Sequence, residues 1–245
     1  MIDSIKQLLQ QEAQAVLNIP VTDAYEKAVQ LIVEQIHQKK GKLVTSGMGK
    51  AGQIAMNIAT TFCSTGIPSV FLHPSEAQHG DLGILQKNDL LLLISNSGKT
   101  REIVELTRLA HNLDPELKFI VITGNPDSPL ANESNVCLST GKPAEVCTLG
   151  MTPTTSTTAM TVIGDILVVQ TMKKKDSPSK NTQNATTVVI WAKNQDHYAK
   201  SNRYRRNNPR YHLSGKPAFR SRTGRLCIQR HRIPRTNGDQ GRFYQ

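Results

Sequence analysis

The chain has 245 residues, 38% hydrophobic and 20% charged, a balance that suits a globular fold with a sizeable core and excludes a fibrous or disordered chain. No uninterrupted apolar run exceeds the five residues of Leu90–Ile94, against roughly 20 for a membrane span, and no basic region followed by an apolar stretch opens the sequence, so a cytoplasmic protein with no membrane partner is expected. The net charge of +11 is uneven: residues 1–172 hold 12 Lys and Arg against 16 Asp and Glu, whereas residues 173–245 hold 18 against 3, so the basicity belongs to the last third alone.

In chain order, Ile5, Leu8, Leu9, Ala13, Val16 and Leu17 recur at helical spacing. A second amphipathic helix is expected from about Thr22, a good N-cap residue, to Lys40, where Gly41 stops it. Short apolar runs bounded by Gly, Pro or charge follow at 43–46, 69–73, 90–95, 119–123 and 136–139. These runs are apolar at successive rather than alternate positions, as strands covered on both faces require. Helical segments near 50–65, 100–113 and 154–172 separate them. Strand and helix in alternation predict an α/β fold with a parallel sheet and helices on both faces. Sheets of this kind bind ligands beyond the carboxyl ends of their strands, so the loops there should carry the chemistry.

Three of those loops stand out: Thr45-Ser46-Gly47-Met48-Gly49-Lys50-Ala51-Gly52, Ser95-Asn96-Ser97-Gly98-Lys99-Thr100, and Met151-Thr152-Pro153-Thr154-Thr155-Ser156-Thr157-Thr158. Each sets small hydroxyl side chains and glycines at a helix amino terminus, where free amides and the helix dipole favour an anion. Ser, Thr and Gly are also ordinary capping and turn residues. Three such loops converging on one edge favour a phosphate site.

Two short motifs fit less well. Gly47, Gly49 and Gly52 match the spacing of a dinucleotide-binding loop, but Lys50 sits inside the loop, and Glu76, the acid sought for a ribose, lies beyond the next strand in a His- and Pro-containing turn. Gly98-Lys99-Thr100 resembles the end of a P-loop whose first glycine would fall at position 93, which is Leu93. Glu76 and His79, three apart, could share a metal, but the spacing suits a capped polar turn better, and no metal or other cofactor is expected. The four cysteines, Cys63, Cys137, Cys147 and Cys227, show no C-x-x-C spacing and suit a reducing compartment.

Taken together, S-G-M-G-K-A-G at 46–52, H-P-S-E-A-Q-H-G-D-L-G at 73–83, S-N-S-G-K-T-x-E at 95–102 and T-P-T-T-S-T-T at 152–158 closely resemble the sugar isomerase (SIS) domain of arabinose-5-phosphate isomerases. The resemblance runs over residues 1–175 and implies a three-layer αβα sandwich with a five-stranded parallel sheet. It further implies a homotetramer with active sites shared between chains, and a pentose phosphate substrate: ribulose 5-phosphate and arabinose 5-phosphate interconverted by way of an enediol, for lipopolysaccharide or capsule sugars. By the same resemblance Ser46, Ser95, Asn96, Ser97 and Thr100 bind the substrate phosphate, and Lys50, His79, Glu102 and Glu145 are active-site residues. Enediol chemistry needs a base to move a proton between adjacent carbons and a cation to polarise the carbonyl. Lys50 suits the second task, and either glutamate the first. Lys99 stands where members usually have an acid. Most members continue into a pair of nucleotide-sensing CBS modules, which nothing here resembles.

The family closes its domain with a helix and a segment H-x-G-G-x-L-G, absent from this sequence. After Lys173-Lys174-Lys175 the chain turns rich in Arg, Asn, Ser and Thr without an apolar period. Back-translation of residues 176–196 with every codon choice open, read two nucleotides later, permits F-T-I-E-E-Y-A-K-R-H-H-G-G-Y-L-G-E-K-S-R. There the glycine of L-G is forced by the codons of Trp191 and Ala192, and the residue before it is restricted to Leu or Met. Residues 176–245 are therefore expected to be a frameshift product, natural or from sequencing, with no fold of their own and no specific nucleic acid as partner. A basic arm for phosphate backbones is the competing reading of that segment, and a non-catalytic sugar-phosphate sensor is the competing reading of the domain.

Overall fold

The computed structural model describes residues 1–175; the tail expected to be aberrant, 176–245, lies outside the described residues. Helix α1 (Ile2–Leu17) leads into α2 (Ala24–Ile32), which widens to π geometry over Val33–Gln38 before β1 (Leu43–Gly47). Asp23 takes the N-cap position of α2, while Thr22 Oγ1 accepts the Ala24 amide at 3.3 Å. Next come α3 (Gly49–Ser64), β2 (Ser69–Phe71) and the short α4 (Pro74–Ala77), then β3 (Leu90–Ile94), α5 (Arg101–Leu113) and β4 (Lys118–Thr123). The short α6 (Pro129–Glu133), β5 (Val136–Ser139) and the 21-residue α7 (Thr155–Lys175) end the described chain.

All five strands are parallel in the order β2-β1-β3-β4-β5. The central strand decides the layering. Every residue of Leu90–Ile94 is fully buried, with Leu90, Leu92 and Ile94 in one apolar cluster and Leu91 and Leu93 in the other. The first cluster takes Ala28, Val29 and Ile32 of α2, Ile58 and Phe62 of α3, and Ile163 and Leu167 of α7. The second takes Ala77 of α4, Ile103 and Leu106 of α5 and Leu130 of α6. The result is the expected three-layer sandwich, each buried leucine contributing about 1.5–3 kcal/mol.

At the amino ends of the strands, Asp89 accepts the Lys42 amide (2.9 Å) and the Gln86 amide (2.8 Å) and pairs with the Lys42 ammonium. It thereby ties the entry of β3 to that of β1. Helix α1 packs on α7 but leaves most of its apolar stripe in solvent: Ile5 is 51% exposed, Leu9 65% and Leu17 77%.

Candidate active site

The carboxyl ends of the strands border one cavity of about 570 Å³. Met48, Lys50 and Ala51 form its β1 side. Lys50 is exposed in the first turn of α3, and that turn can lie against β1 because both contact points are glycine. A Cβ on Gly47 would come within 2.8 Å of the Ala51 backbone, and one on Gly52 within 2.5 Å of Gly47 O. The glycine spacing thus serves strand–helix packing, and a lysine reaches the ligand space.

The loop after β3 is the cradle. Ser95, 2% exposed, places its Oγ 2.8 Å from Thr100 Oγ1 and accepts the Gly98 amide at 3.1 Å. Ser97 Oγ accepts the Lys99 amide at 3.2 Å, and Asn125 Nδ2 holds the loop from β4 by donating to Ser97 O, also at 3.2 Å. Gly98 has φ 62°, and a Cβ there would fall 1.9 Å from Ser128 Oγ, so only glycine permits this turn. Thr100 is the N-cap of α5 and lines the cavity, which puts the positive end of that helix at the edge of the space. Ser95, Asn96, Ser97 and Thr100 are brought together as expected.

The opposite wall comes from Lys142, after β5, and from Pro153, Ser156 and Thr157 at the start of α7. Glu145 organises it: Oε2 accepts the Thr154 amide (2.7 Å), the Thr154 hydroxyl (2.9 Å) and the Ser156 amide (3.3 Å). Burial pushes the Glu145 carboxyl up. The donors on Thr154 and Ser156 outweigh that, and the group titrates below its ordinary value. Ser156 Oγ is buried beside this carboxylate and has no hydrogen-bond partner among the described residues. Oε1 of Glu145 has no hydrogen-bond partner among the described residues.

Three expected residues stand elsewhere, and Glu145, which holds that wall together, is not on the lining either. Ser46 is fully buried, and its hydroxyl donates to Leu72 O at 2.6 Å, joining β1 to the chain after β2. It does not line the cavity. Glu102 lies in the first turn of α5, half-buried and outside the lining, and His79 is exposed after α4. Among the described residues the lining includes three lysines, Lys50, Lys99 and Lys142, and no carboxylate. Asn125 and Lys142 were not singled out by the sequence, because neither falls in a motif. No group of three or more His, Cys, Asp or Glu that could hold a metal occurs among the described residues, and none of their helices is long and apolar enough to cross a membrane.

Residues 35–170 match the model of the SIS domain. The chain is 44% identical over 161 residues to the arabinose 5-phosphate isomerase KdsD of Francisella tularensis, a match covering 66% of this chain and 48% of that protein. It thus spans about half the length of the curated relatives it matches. Among solved structures it resembles a Bacteroides fragilis protein described as a phosphosugar isomerase involved in capsule formation (90% identity, TM-score 0.72), covering 72% of this chain and 92% of that one. A protein of Escherichia coli CFT073 solved in complex with arabinose 5-phosphate is 34% identical, with a TM-score of 0.64 and the same coverage, 72% and 92%.

Proposed function

Since the chain belongs to the SIS domain family, we propose that it is the catalytic domain of a phosphosugar isomerase interconverting D-ribulose 5-phosphate and D-arabinose 5-phosphate in the cytoplasm, for lipopolysaccharide or capsule sugars. The observation that carries this reading is the cradle of Ser95, Ser97 and Thr100 at the α5 amino terminus, with Lys50 on the same cavity. The phosphate sits in the cradle, and the sugar extends toward the wall formed by α7. Lys50 polarises the carbonyl, while a carboxylate removes the proton from the carbon next to it and returns it to the former carbonyl carbon. Glu145 is ionised at neutral pH, as a base must be, and keeps Oε1 free. Glu102 is the other candidate. His79, exposed in this chain, and the missing H-x-G-G-x-L-G histidine belong to sites completed between chains of a homotetramer, so turnover requires an intact carboxyl terminus.

A second reading rests on the absence of any carboxylate from the lining: non-catalytic binding of the same ligand. Calorimetry tests the shared claim. The 245-residue chain should bind pentose 5-phosphates and not free pentoses, and Ser97→Ala should weaken binding by about 1–3 kcal/mol, because a charged acceptor loses a donor. Equal affinity for phosphorylated and free sugar would remove the proposal. In a frame-restored chain, loss of a substrate C–H deuterium to water separates the isomerase from the binder. Either Glu102→Gln or Glu145→Gln should then lower kcat by about 10²-fold with little change in KM.

A further inference from the structure

We infer that Lys142 is an ammonium contact for the substrate phosphate, facing the cradle from the side opposite Lys50. The inference rests on the phosphosugar reading of the cavity.

Strand order supplies the geometry. Lys50 follows β1, the cradle follows β3, Asn125 follows β4 and Lys142 follows β5, and these strands are neighbours in that sequence across the sheet. At about 4.8 Å between strands, Lys50 and Lys142 leave the sheet roughly 14 Å apart with the cradle between them. The long flexible side chain of Lys142 can reach an anion held there, while Lys50 on the other flank is left for the carbonyl. Neither makes an ion pair among the described residues, so each ammonium is available. With no acid on the lining, the cavity carries a positive field suited to a dianion.

The backbone at Lys142 is built for one orientation. Lys142 has φ 52° directly after Gly141 at φ 76°, a left-handed pair that a lysine rarely adopts. Side-chain hydrogen bonds hold it: Ser139 Oγ accepts the Gly141 amide at 3.1 Å and Thr140 Oγ1 accepts the Lys142 amide at 3.4 Å. Asn18 O lies only 3.0 Å from where a Gly141 Cβ would be, closing the turn from outside. Positive φ at a lysine is not functional by itself, since Lys40 (φ 64°) merely ends a helix. At position 142 the turn coincides with a place on the cavity wall.

That conformation provides the test. Lys142→Gly removes the ammonium and suits the backbone better than lysine does, so the variant should melt no lower than the parent. Arabinose 5-phosphate should bind it about tenfold more weakly, the order expected for one lost charge-assisted hydrogen bond. Inorganic phosphate, competing for the same site, should weaken by a similar factor, and Lys142→Arg should restore most of both. Unchanged affinity in Lys142→Gly would overturn the inference while leaving the phosphosugar reading in place. Weakened sugar phosphate with unchanged inorganic phosphate would also overturn it, assigning Lys142 to the sugar hydroxyls. No binding by the parent chain would remove the phosphosugar reading and this inference together.

Discussion

The carboxylate of Glu145 holds the start of α7 and is one of the two candidates proposed above for the base; its titration exposes the first of these. Its folded value lies below the ordinary 4.5, so it favours the folded state above that pH, and the contribution fades as the pH falls through the folded value. Glu145→Gln should therefore melt lower than the parent at neutral pH and lose less stability as the pH falls below about 4.5. Parallel acid limbs in thermal melts of the two proteins would show that the cap contributes nothing. At this scale the cradle was legible because hydroxyls and glycine at a helix start have a chemical meaning in the sequence alone. Ser46 was not, since a serine in a strand can face the ligand space or bond a neighbouring carbonyl, and only the pleat of β1 against Leu72 decides. Lys142 lies between Gly141 and Pro143, where its left-handed backbone leaves no pattern to read.

Among elements, the strands read well because burial on both faces forces continuous apolar runs, and β5 has the expected limits, Val136–Ser139. Strand β2 stops at Phe71 rather than His73: it lies at the sheet edge, and Pro74 opens α4. The order β2-β1-β3-β4-β5 leaves no local trace, because register is set by which faces are covered. Asp89 shows how two strands are joined at their entry. Its side chain is 1% exposed and holds two amides and the Lys42 ammonium. Asp89→Ala would strand those donors and should cost about 3 kcal/mol in a denaturant titration, with ligand affinity unchanged, since the residue is at the opposite end of the strands from the cradle. A loss below about 1 kcal/mol would mean that water replaces the carboxylate freely. The periodicity of α1 predicted an amphipathic helix correctly but not its surroundings. Most of its apolar stripe has no cover among the described residues, which fits the proposed tetramer.

For the whole molecule, the Bacteroides fragilis structure takes in 72% of this chain and 92% of its own, and the expected loss of frame after Lys175 is tested by repairing it. Restoring the frame there, so that F-T-I-E-E-Y-A-K-R-H-H-G-G-Y-L-G follows, should bring isomerase activity and tetramer formation together, read by coupled assay and light scattering. Replacing the first histidine of the restored pair should then abolish turnover and leave assembly intact. Full activity in the 245-residue chain would overturn the frameshift reading. Helix α7 gives the junction a genetic side. The last described residues of α7 are Lys173, Lys174 and Lys175. Written in AAA codons, those lysines form an unbroken adenine tract, the kind of template on which polymerases and ribosomes lose count. Such a tract would place a slippage-prone point after the sheet is complete and ahead of the groups proposed to complete a neighbour's site.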